Sequence, residues 1–462
     1  MTDGNARRGL HASRLIGLAA LALCCTIALG VARAGDPDWA TILKPVDRAS
    51  WPKPAAEVVW REDMAAALAE AKASGKPLFV TFRCLPCKQC MSMDQAVLDG
   101  GPTLDPLLKR FITVRLTSMS EVDKRLFRFD EFQDLDCSWW GTALSPEGRI
   151  YGVYGGIDER SDRSRISPEG LAAALTRILD HHVRPNRLAL NLDGPAPQLE
   201  GPAVTPPTLP GYKRWRRESH DEVRAQACLH CHQVNDILRQ PAISAGTFDK
   251  RRDFDVWPYP ENIGLQLDRD AGLTVKRVKP GSPAAEAGIK TGDQLVAGAG
   301  RLLHSSTDLR GVLHRGPKAA GELTLVWRHE GEIKTGVVAV KEGWRVTNKS
   351  WRKSVAEARI GAKTGLPWPL RVKAGERRRR GAPAEGLCIK PWWGKHPKNH
   401  PAWQLGLRPG ELIIAINGER PDLHGRALHA WFRLRYDPGM TVRYTVLDKR
   451  GKRRELAVKL ER

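Results

Sequence analysis

Lys76 to Asp94 reads KPLFVTFRCLPCKQCMSMD. Pro77 to Phe82 is a short apolar run, rich in aromatic and β-branched residues, with the length of a buried strand. It runs into Cys84, Cys87 and Cys90, spaced by three, and then into Met91 to Leu98, which is compatible with a helix. A strand that delivers thiols to a helix N-terminus is the layout thiol redox chemistry uses, because unpaired N–H groups and the helix dipole stabilise a thiolate there. Two C-x-x-C frames overlap, Cys84 with Cys87 and Cys87 with Cys90. A structural disulfide or a metal site is compatible with the same residues.

The stretch resembles exported thioredoxin-like proteins that read K-P-strand-W-C-x-x-C-x-x-M-[DE]. In that pattern the first active-site cysteine stands ten residues after the proline, which from Pro77 is Cys87. The resemblance makes Cys87 the nucleophile and Cys90 the resolving thiol, matches Met93-Asp94, and leaves Cys84 as an accessory thiol. Lys88, inside the pair, favours a Cys87 thiolate by charge. Around this core the sequence predicts a helix over Glu62 to Ala73 and a strand over Phe111 to Leu116. A hairpin follows, Thr142 to Leu144 and Arg149 to Val153 about the turn Ser145 to Gly148, and then a closing helix over Glu169 to His182. That order fits the thioredoxin-like α/β fold. One departure falls at Cys137-Ser138-Trp139-Trp140, where thioredoxins place a cis-proline. The plain reading is a tryptophan pair packed over the thiols. The sharper one has Cys137, a second accessory thiol, joining Cys84, Cys87 and Cys90 as zinc or iron–sulfur ligands.

The chain has 462 residues, enough for several domains, and 41% of them are hydrophobic. Its formal charge of +22 suits an anionic partner, or reflects Lys and Arg dispersed over solvated faces. Arg7, Arg8 and Arg14 precede an apolar run, Leu15 to Val31, and Ala32-Arg33-Ala34 offers a small-residue cleavage site. Residues 1–34 therefore read as a signal peptide, with an uncleaved single-pass anchor as the alternative. Export to the periplasm or cell envelope makes disulfide chemistry permissible and nucleic acid a poor partner. An anionic envelope surface is the partner the charge then suggests.

Residues 35–190 hold the thioredoxin-like pattern, and 191–258 open with a Pro- and Gly-rich linker, Leu192 to Pro210. Beyond it lies Cys228-Leu229-His230-Cys231-His232, the C-x-x-C-H string of covalent c-type haem attachment. In that reading Cys228 and Cys231 bond the haem vinyl groups and His232 ligates the iron, with His220 or His230 as candidates for the sixth position. A disulfide, a zinc site or a second thiol pair are the alternatives.

Residues 259–343 resemble a bacterial PDZ domain of the kind attached to exported proteases, on the string Val278-Lys279-Pro280-Gly281-Ser282-Pro283-Ala284-Ala285 continuing to Gly292-Asp293. The resemblance implies a peptide groove that starts at Ile263, Gly264 and Leu265 and is walled by a helix that Ser306 or Thr307 caps. After a basic connector, 344–381, a second copy spans 382–462. Leu405-Gly406-Leu407 through Ile416-Asn417-Gly418 carry its core, and Gly386 and Leu387 its groove strand. The run Arg377 to Arg380 reads as a solvated loop, with an anionic contact as the sharper alternative. PDZ domains bind extended C-terminal peptides by strand addition and do no chemistry. No G-x-S-x-G or H-E-x-x-H string accompanies them.

The expected architecture is thus a thioredoxin-like α/β domain followed by two PDZ-like β-rich domains. The whole order resembles a family of exported bacterial thioredoxin/PDZ proteins, some of which carry selenocysteine in place of a cysteine. The function this suggests is an exported thiol–disulfide oxidoreductase that holds protein or peptide clients, with a haem c as its possible cofactor and an envelope redox partner. A peptide-binding adaptor and a haem electron-transfer protein are the alternatives.

Overall fold

The computed structural model describes residues 37–85, 87–137, 139–218, 229–358 and 361–461. The N-terminal segment read as a signal, together with Pro86, Ser138, His220 and Cys228, lies outside them.

Local chemistry sets the first layer. Asp63 caps helix α1 (Met64–Ser74) by accepting from Ala65 N and Ala66 N at 2.8 and 3.0 Å, and Gly75, at φ 69°, ends it. The chain then enters strand β2 (Leu78–Phe82), all five residues of which are buried. It is the middle strand of a five-stranded sheet in the order β1-β3-β2-β4-β5. The neighbours are β1 (Trp60–Arg61), β3 (Ile112–Leu116), β4 (Trp140–Leu144) and β5 (Ile150–Gly155). Strand β2 runs parallel to β3 and antiparallel to β4.

Alternation along β2 explains why no polar face is left. Leu78, Val80 and Phe82 face one core with Ala67 and Ala71 of α1. Phe79 faces the other, with Met93 and Val97 of α2 (Met91–Asp99), Leu104 of α3 (Gly101–Leu108) and Leu171 and Ile178 of α4 (Pro168–His182). Each such side chain contributes about 1.5–3 kcal/mol by leaving water. The hairpin and the closing helix stand where the sequence places them.

The Pro- and Gly-rich segment lies extended along this domain. Lys124 N donates to Val204 O at 2.7 Å, and Arg125 Nη1 to Glu200 O and Gly201 O, both at 2.9 Å. The C-x-x-C-H segment then starts helix α5 (Cys231–Ser244). Cys231, Val234 and Ile237 enter the same core as Val80 and Phe82.

Residues 261–340 form a 3-10 turn at Pro260–Ile263, strands β6 (Leu265–Leu267) and β7 (Val275–Val278), and a four-stranded sheet. That sheet contains β8 (Gln294–Gly298), β9 (Arg301–Leu302), β10 (Gly321–His329) and β11 (Glu332–Val340), with helix α6 (Ser306–Arg315) beside it. The cap of α6 is Ser305, not Ser306 or Thr307: its Oγ accepts from Thr307 N and Asp308 N, both at 3.1 Å. The C-terminal part repeats the order with β13 (Ile389–Trp392), β14 (Leu412–Ile416), helix α8 (Gly425–Arg435), β15 (Thr441–Leu447) and β16 (Arg453–Lys459). Strand β12 (Trp368–Arg371) pairs antiparallel with β13 and completes the five-stranded sheet.

Arg377 to Arg380 is only in part a solvated run: Arg378 and Arg379 are exposed, whereas Arg377 and Arg380 are drawn into the structure. Arg377 to Arg379 end helix α7 (Ala374–Arg379). Arg377 is buried and donates to Val372 O, Ala384 O and Gly386 O, and Arg380 donates to Gly410 O and Asp448 O. Guanidinium donors satisfy carbonyls that the irregular loops leave without a ladder partner. Pro37–Arg462 forms one compact unit. Among the described residues, no helix is long and apolar enough to cross a membrane.

Candidate active site: a cavity lined by thiols

Strand β2 ends at Phe82, and the next residues turn tightly. Cys87 N donates to Cys84 O at 2.9 Å, and Cys90 N to Cys87 O at 3.2 Å. Cys87 thereby stands at the N-cap of the 3-10 turn Lys88–Cys90 that leads into α2. Asp94, buried on the first turn of α2, reaches back across the loop. It accepts from Arg83 Nη1 at 3.3 Å and Arg115 Nη2 at 2.9 Å. The acidic residue of the M-[DE] pair thus ties the thiol loop to β3. Lys88 is exposed.

Cys84, Cys87, Cys90, Cys137 and Cys231 line one cavity of about 400 Å³, together with His230, His232, Asp136, Trp351 and Lys353. The tryptophan pair divides between the two faces of the sheet. Trp140 packs with Cys84 and Cys231, its ring stacked on Phe82 at 5.2 Å, while Trp139 packs with Cys90 and Met93. Cys87 touches both clusters and is half-buried.

The electrostatics sort the thiols. A hydrogen bond with Cys87 and burial push the Cys90 thiol far up. Burial, then the neighbouring Cys231, does the same to Cys137. The Cys231 thiol is raised by burial and by Cys84, against a smaller opposite pull from the Trp140 indole. Burial and the Lys353 charge hold His230 and His232 below the ordinary histidine value, so both imidazoles are neutral.

The C-x-x-C-H segment contributes to this cavity directly, which its position beyond a linker did not announce. His230 Nδ1 lies 3.1 Å from Cys84 Sγ, and Cys231 Sγ lies 3.9 Å from Met119 Sδ. The His230 and His232 rings stack at 5.5 Å. Cys228 lies outside the described residues. Among the described residues, no three His, Cys, Asp or Glu side chains converge closely enough to hold a metal ion.

The fit to a covalent haem can be tested on this packing. His232 borders a second cavity of about 890 Å³, lined also by Trp215, Trp368, Arg426, His429 and Arg433. That cavity has room for a large planar group. Cys231, however, faces the thiol cluster and Met119, and only 7% of it is exposed. A thioether from that sulfur to a porphyrin edge does not fit while α5 is packed this way.

In the first β-rich domain Ile263, Gly264 and Leu265 are all buried. Gly264, at φ 90°, leaves no room for a Cβ, which would lie 2.1 Å from the Ser282 side chain. Its N–H donates to Glu261 O at 3.1 Å. Asn262 Nδ2 holds Trp344 O at 2.7 Å and Val346 O at 2.9 Å, so the segment after β11 lies against this loop. In the C-terminal β-rich part Leu387 N donates to Arg420 O at 3.2 Å, and Gly386 and Leu387 precede β13 rather than forming it.

Sequence reasoning missed the charged links around the cavity. Asp134 and Asp136, just before Cys137, accept from buried Arg352, and Asp134 also accepts from Arg310 Nη2 at 2.6 Å. Acidic residues beside a cysteine were the one available signal, and nothing in the sequence named their partners.

Residues 59–139 match the thioredoxin-like family model, and residues 261–340 the PDZ domain model. The chain thus holds a thioredoxin-like domain followed by a PDZ domain, in a mixed α/β and then β-rich architecture. A curated relative is the serine protease Do-like HtrB of Bacillus subtilis (strain 168), 38% identical over 79 residues. The match covers 17% of this chain and spans only 17% of that protein. Among solved structures, the HtrA-type protease AlgW with decapeptide is 19% identical over 28% of this chain and 36% of its own, with a TM-score of 0.18. Its S227A form with decapeptide is 15% identical over 30% and 40%, with a TM-score of 0.19.

Proposed function

We propose that this protein is an exported thiol–disulfide oxidoreductase whose PDZ domains hold a protein or peptide client beside the thiols. The observation that carries the reading is Cys87, half-buried, hydrogen-bonded to a buried Cys90 at the start of α2. Burial and that bond keep the proton on Cys90, which leaves Cys87 as the attacking sulfur.

The Cys87 thiolate attacks one sulfur of a client disulfide. A Cys87–client bond forms, the client S–S bond breaks, and the departing client sulfur takes a proton. Cys90 then loses its proton and attacks Cys87. The Cys87–Cys90 disulfide forms and the second client thiol leaves, so the client is reduced as the pair is oxidised. Run in reverse, the same steps oxidise a client.

The PDZ domain at 261–340 supports the client-holding part because that fold binds peptides by strand addition, and we extend the same role to the C-terminal β-rich part. C-terminal peptides are the client ends we propose for them, and an envelope redox partner resets the pair. The test is Cys87→Ser. The expected result is loss of disulfide turnover with peptide binding intact. Unchanged turnover would favour the adaptor reading.

A haem c on Cys228, Cys231 and His232, coupled to the Cys87–Cys90 pair or serving electron transfer alone, is a second proposal, favoured by the large cavity that His232 borders. It requires Cys231 to leave its present packing. Intact mass and a visible spectrum of protein made in a host that attaches haem c decide whether the haem is present, and the Cys87→Ser turnover assay decides the thiol reading separately.

A further inference from the structure

We infer that Cys231 and Cys84 form a second, internal redox pair that exchanges disulfides with Cys87–Cys90 across the shared cavity. This deepens the oxidoreductase reading and rests on it.

The thiols are graded by access. Cys87 and Cys137 are the partly exposed sulfurs of the group, and of the two Cys87 stands at the N-cap of a helical turn. Cys84 and Cys231 are 3% and 7% exposed and belong to one buried cluster, against which Cys87 packs. A protein client cannot reach sulfurs so deep, so whatever exchange they undergo is with their neighbours. Each is held in place. The Cys84 thiol sits at hydrogen-bond distance from His230 Nδ1, 3.1 Å away, and its carbonyl accepts from Cys87 N. Cys231 occupies the first residue of α5, a 14-residue helix. Asn235 Nδ2 of that helix donates to Asp136 Oδ2 at 3.3 Å, at the cavity wall. The N-terminal ends of α2 and α5 both open on the cavity, and their dipoles offset part of the burial that raises the Cys90 and Cys231 thiols.

The transfer needs no outside oxidant. It begins from a Cys87–Cys90 disulfide with Cys84 and Cys231 reduced. Cys84 sulfur attacks Cys87: the Cys84–Cys87 bond forms, the Cys87–Cys90 bond breaks, and Cys90 gains the proton that Cys84 lost. Cys231 sulfur then attacks Cys84: the Cys84–Cys231 bond forms, the Cys84–Cys87 bond breaks, and Cys87 gains the proton that Cys231 lost. The outer pair is reduced again, and the inner pair stores the oxidising equivalent.

The test is stoichiometric oxidation of the reduced protein with diamide, acid quench, alkylation and disulfide mapping by mass spectrometry. With one equivalent, the expected product carries a Cys84–Cys231 disulfide with Cys87 and Cys90 alkylated. With two equivalents both disulfides appear. Cys231→Ser is expected to stop at Cys87–Cys90. Cys87→Ser is expected to form Cys84–Cys231 at least about tenfold more slowly, because the accessible entry sulfur is gone. Circular dichroism checks that each variant folds, and Cys84→Ala repeats the test from the other sulfur of the inner pair. A Cys87–Cys90 disulfide with Cys84 and Cys231 still alkylated after two equivalents would overturn the relay and leave the oxidoreductase reading standing. A Cys228–Cys231 disulfide, or an undiminished rate in Cys87→Ser, would overturn it too. Absence of any Cys87–Cys90 disulfide, in Cys231→Ser as well, would remove the oxidoreductase reading itself.

Discussion

Asp94 shows how a single side chain holds a reactive loop. Its carboxylate lies between Arg83, next to Cys84, and Arg115 of β3. The acid is 3% exposed and the two guanidinium groups 17% and 22%. A charge at that depth is tolerable only because both partners are present. Asp94→Ala leaves two arginines facing each other with no anion. It should cost about 2–3 kcal/mol in urea unfolding and slow thiol exchange by loosening the Cys84–Cys90 turn. Unchanged stability would show that the pair is exchanged for water at no cost. Of the thiols, spacing leaves the Cys84–Cys87 and Cys87–Cys90 frames open, and the family resemblance is what points to Cys87 and Cys90. The grading by depth of Cys84, Cys137 and Cys231 comes from burial, which no spacing records.

At the scale of elements, α6 does two jobs. As a groove helix it belongs to the PDZ domain, yet its N-terminus is fixed to the edge strand of the thioredoxin-like sheet. Thr307 Oγ1 donates to Gly155 O at 2.5 Å and accepts from Gly155 N at 3.2 Å. Asp308 Oδ1 accepts from Val153 N at 2.8 Å, and Ser305 Oγ donates to Val153 O. An edge strand has unpaired N–H and C=O groups, and here a capped helix end satisfies them. Ser305→Ala removes the cap and the docking bond together. The expected loss is about 1–2 kcal/mol of stability, seen as a lower urea midpoint, with faster proteolysis between the two domains. The sequence indicated the helix to within a few residues, because its apolar spacing is local. It did not indicate that the cap belongs to Ser305, since three consecutive hydroxyl residues, Ser305 to Thr307, are equally good on paper.

Across the whole molecule, charge buried between domains decides the response to acid. Asp134 of the thioredoxin-like domain sits between Arg310 of α6 and Arg352 of the segment before the second β-rich domain. Despite burial, those guanidinium groups hold its carboxyl below the ordinary value. Its stabilising effect is full above the unfolded carboxylate range, near pH 4, and is lost as pH falls further. His314 is pulled down to about 3 and His182 to about 4, both by burial. The unfolded chain protonates these rings first, so stability falls from about pH 6.5 downward. Asp308 acts in the opposite sense: burial raises it to about 6, and it gains stability as pH drops from 6 toward 4. The histidines outnumber it, so the urea midpoint should fall between pH 7 and pH 4, the loss at Asp134 following only below that range, and His314→Gln should flatten part of that slope. Asp134→Asn should cost about 3–5 kcal/mol, because it leaves Arg310 and Arg352 with no carboxylate between them. A flat midpoint over that pH range would contradict this account.

The sequence by itself determined the elements of the thioredoxin-like part and their order, from the cysteine-bearing strand to the closing helix. A five-residue apolar run must be buried on both faces, glycines and capping residues mark the ends, and C-x-x-C spacing puts two sulfurs on one turn. All of these are local constraints, written within a few residues. Only the tertiary structure decided which distant groups meet. The C-x-x-C-H helix joins the core under β2 because Val234 and Ile237 have no other apolar surface to cover, and that packing carries His230 to Cys84 and Cys231 to Met119. Arg377 and Arg380 turn inward because loop carbonyls, that of Asp448 far along the chain among them, need donors, while Arg378 and Arg379 stay exposed. Contacts between residues more than a hundred positions apart depend on how whole surfaces fit, and no window of sequence contains them.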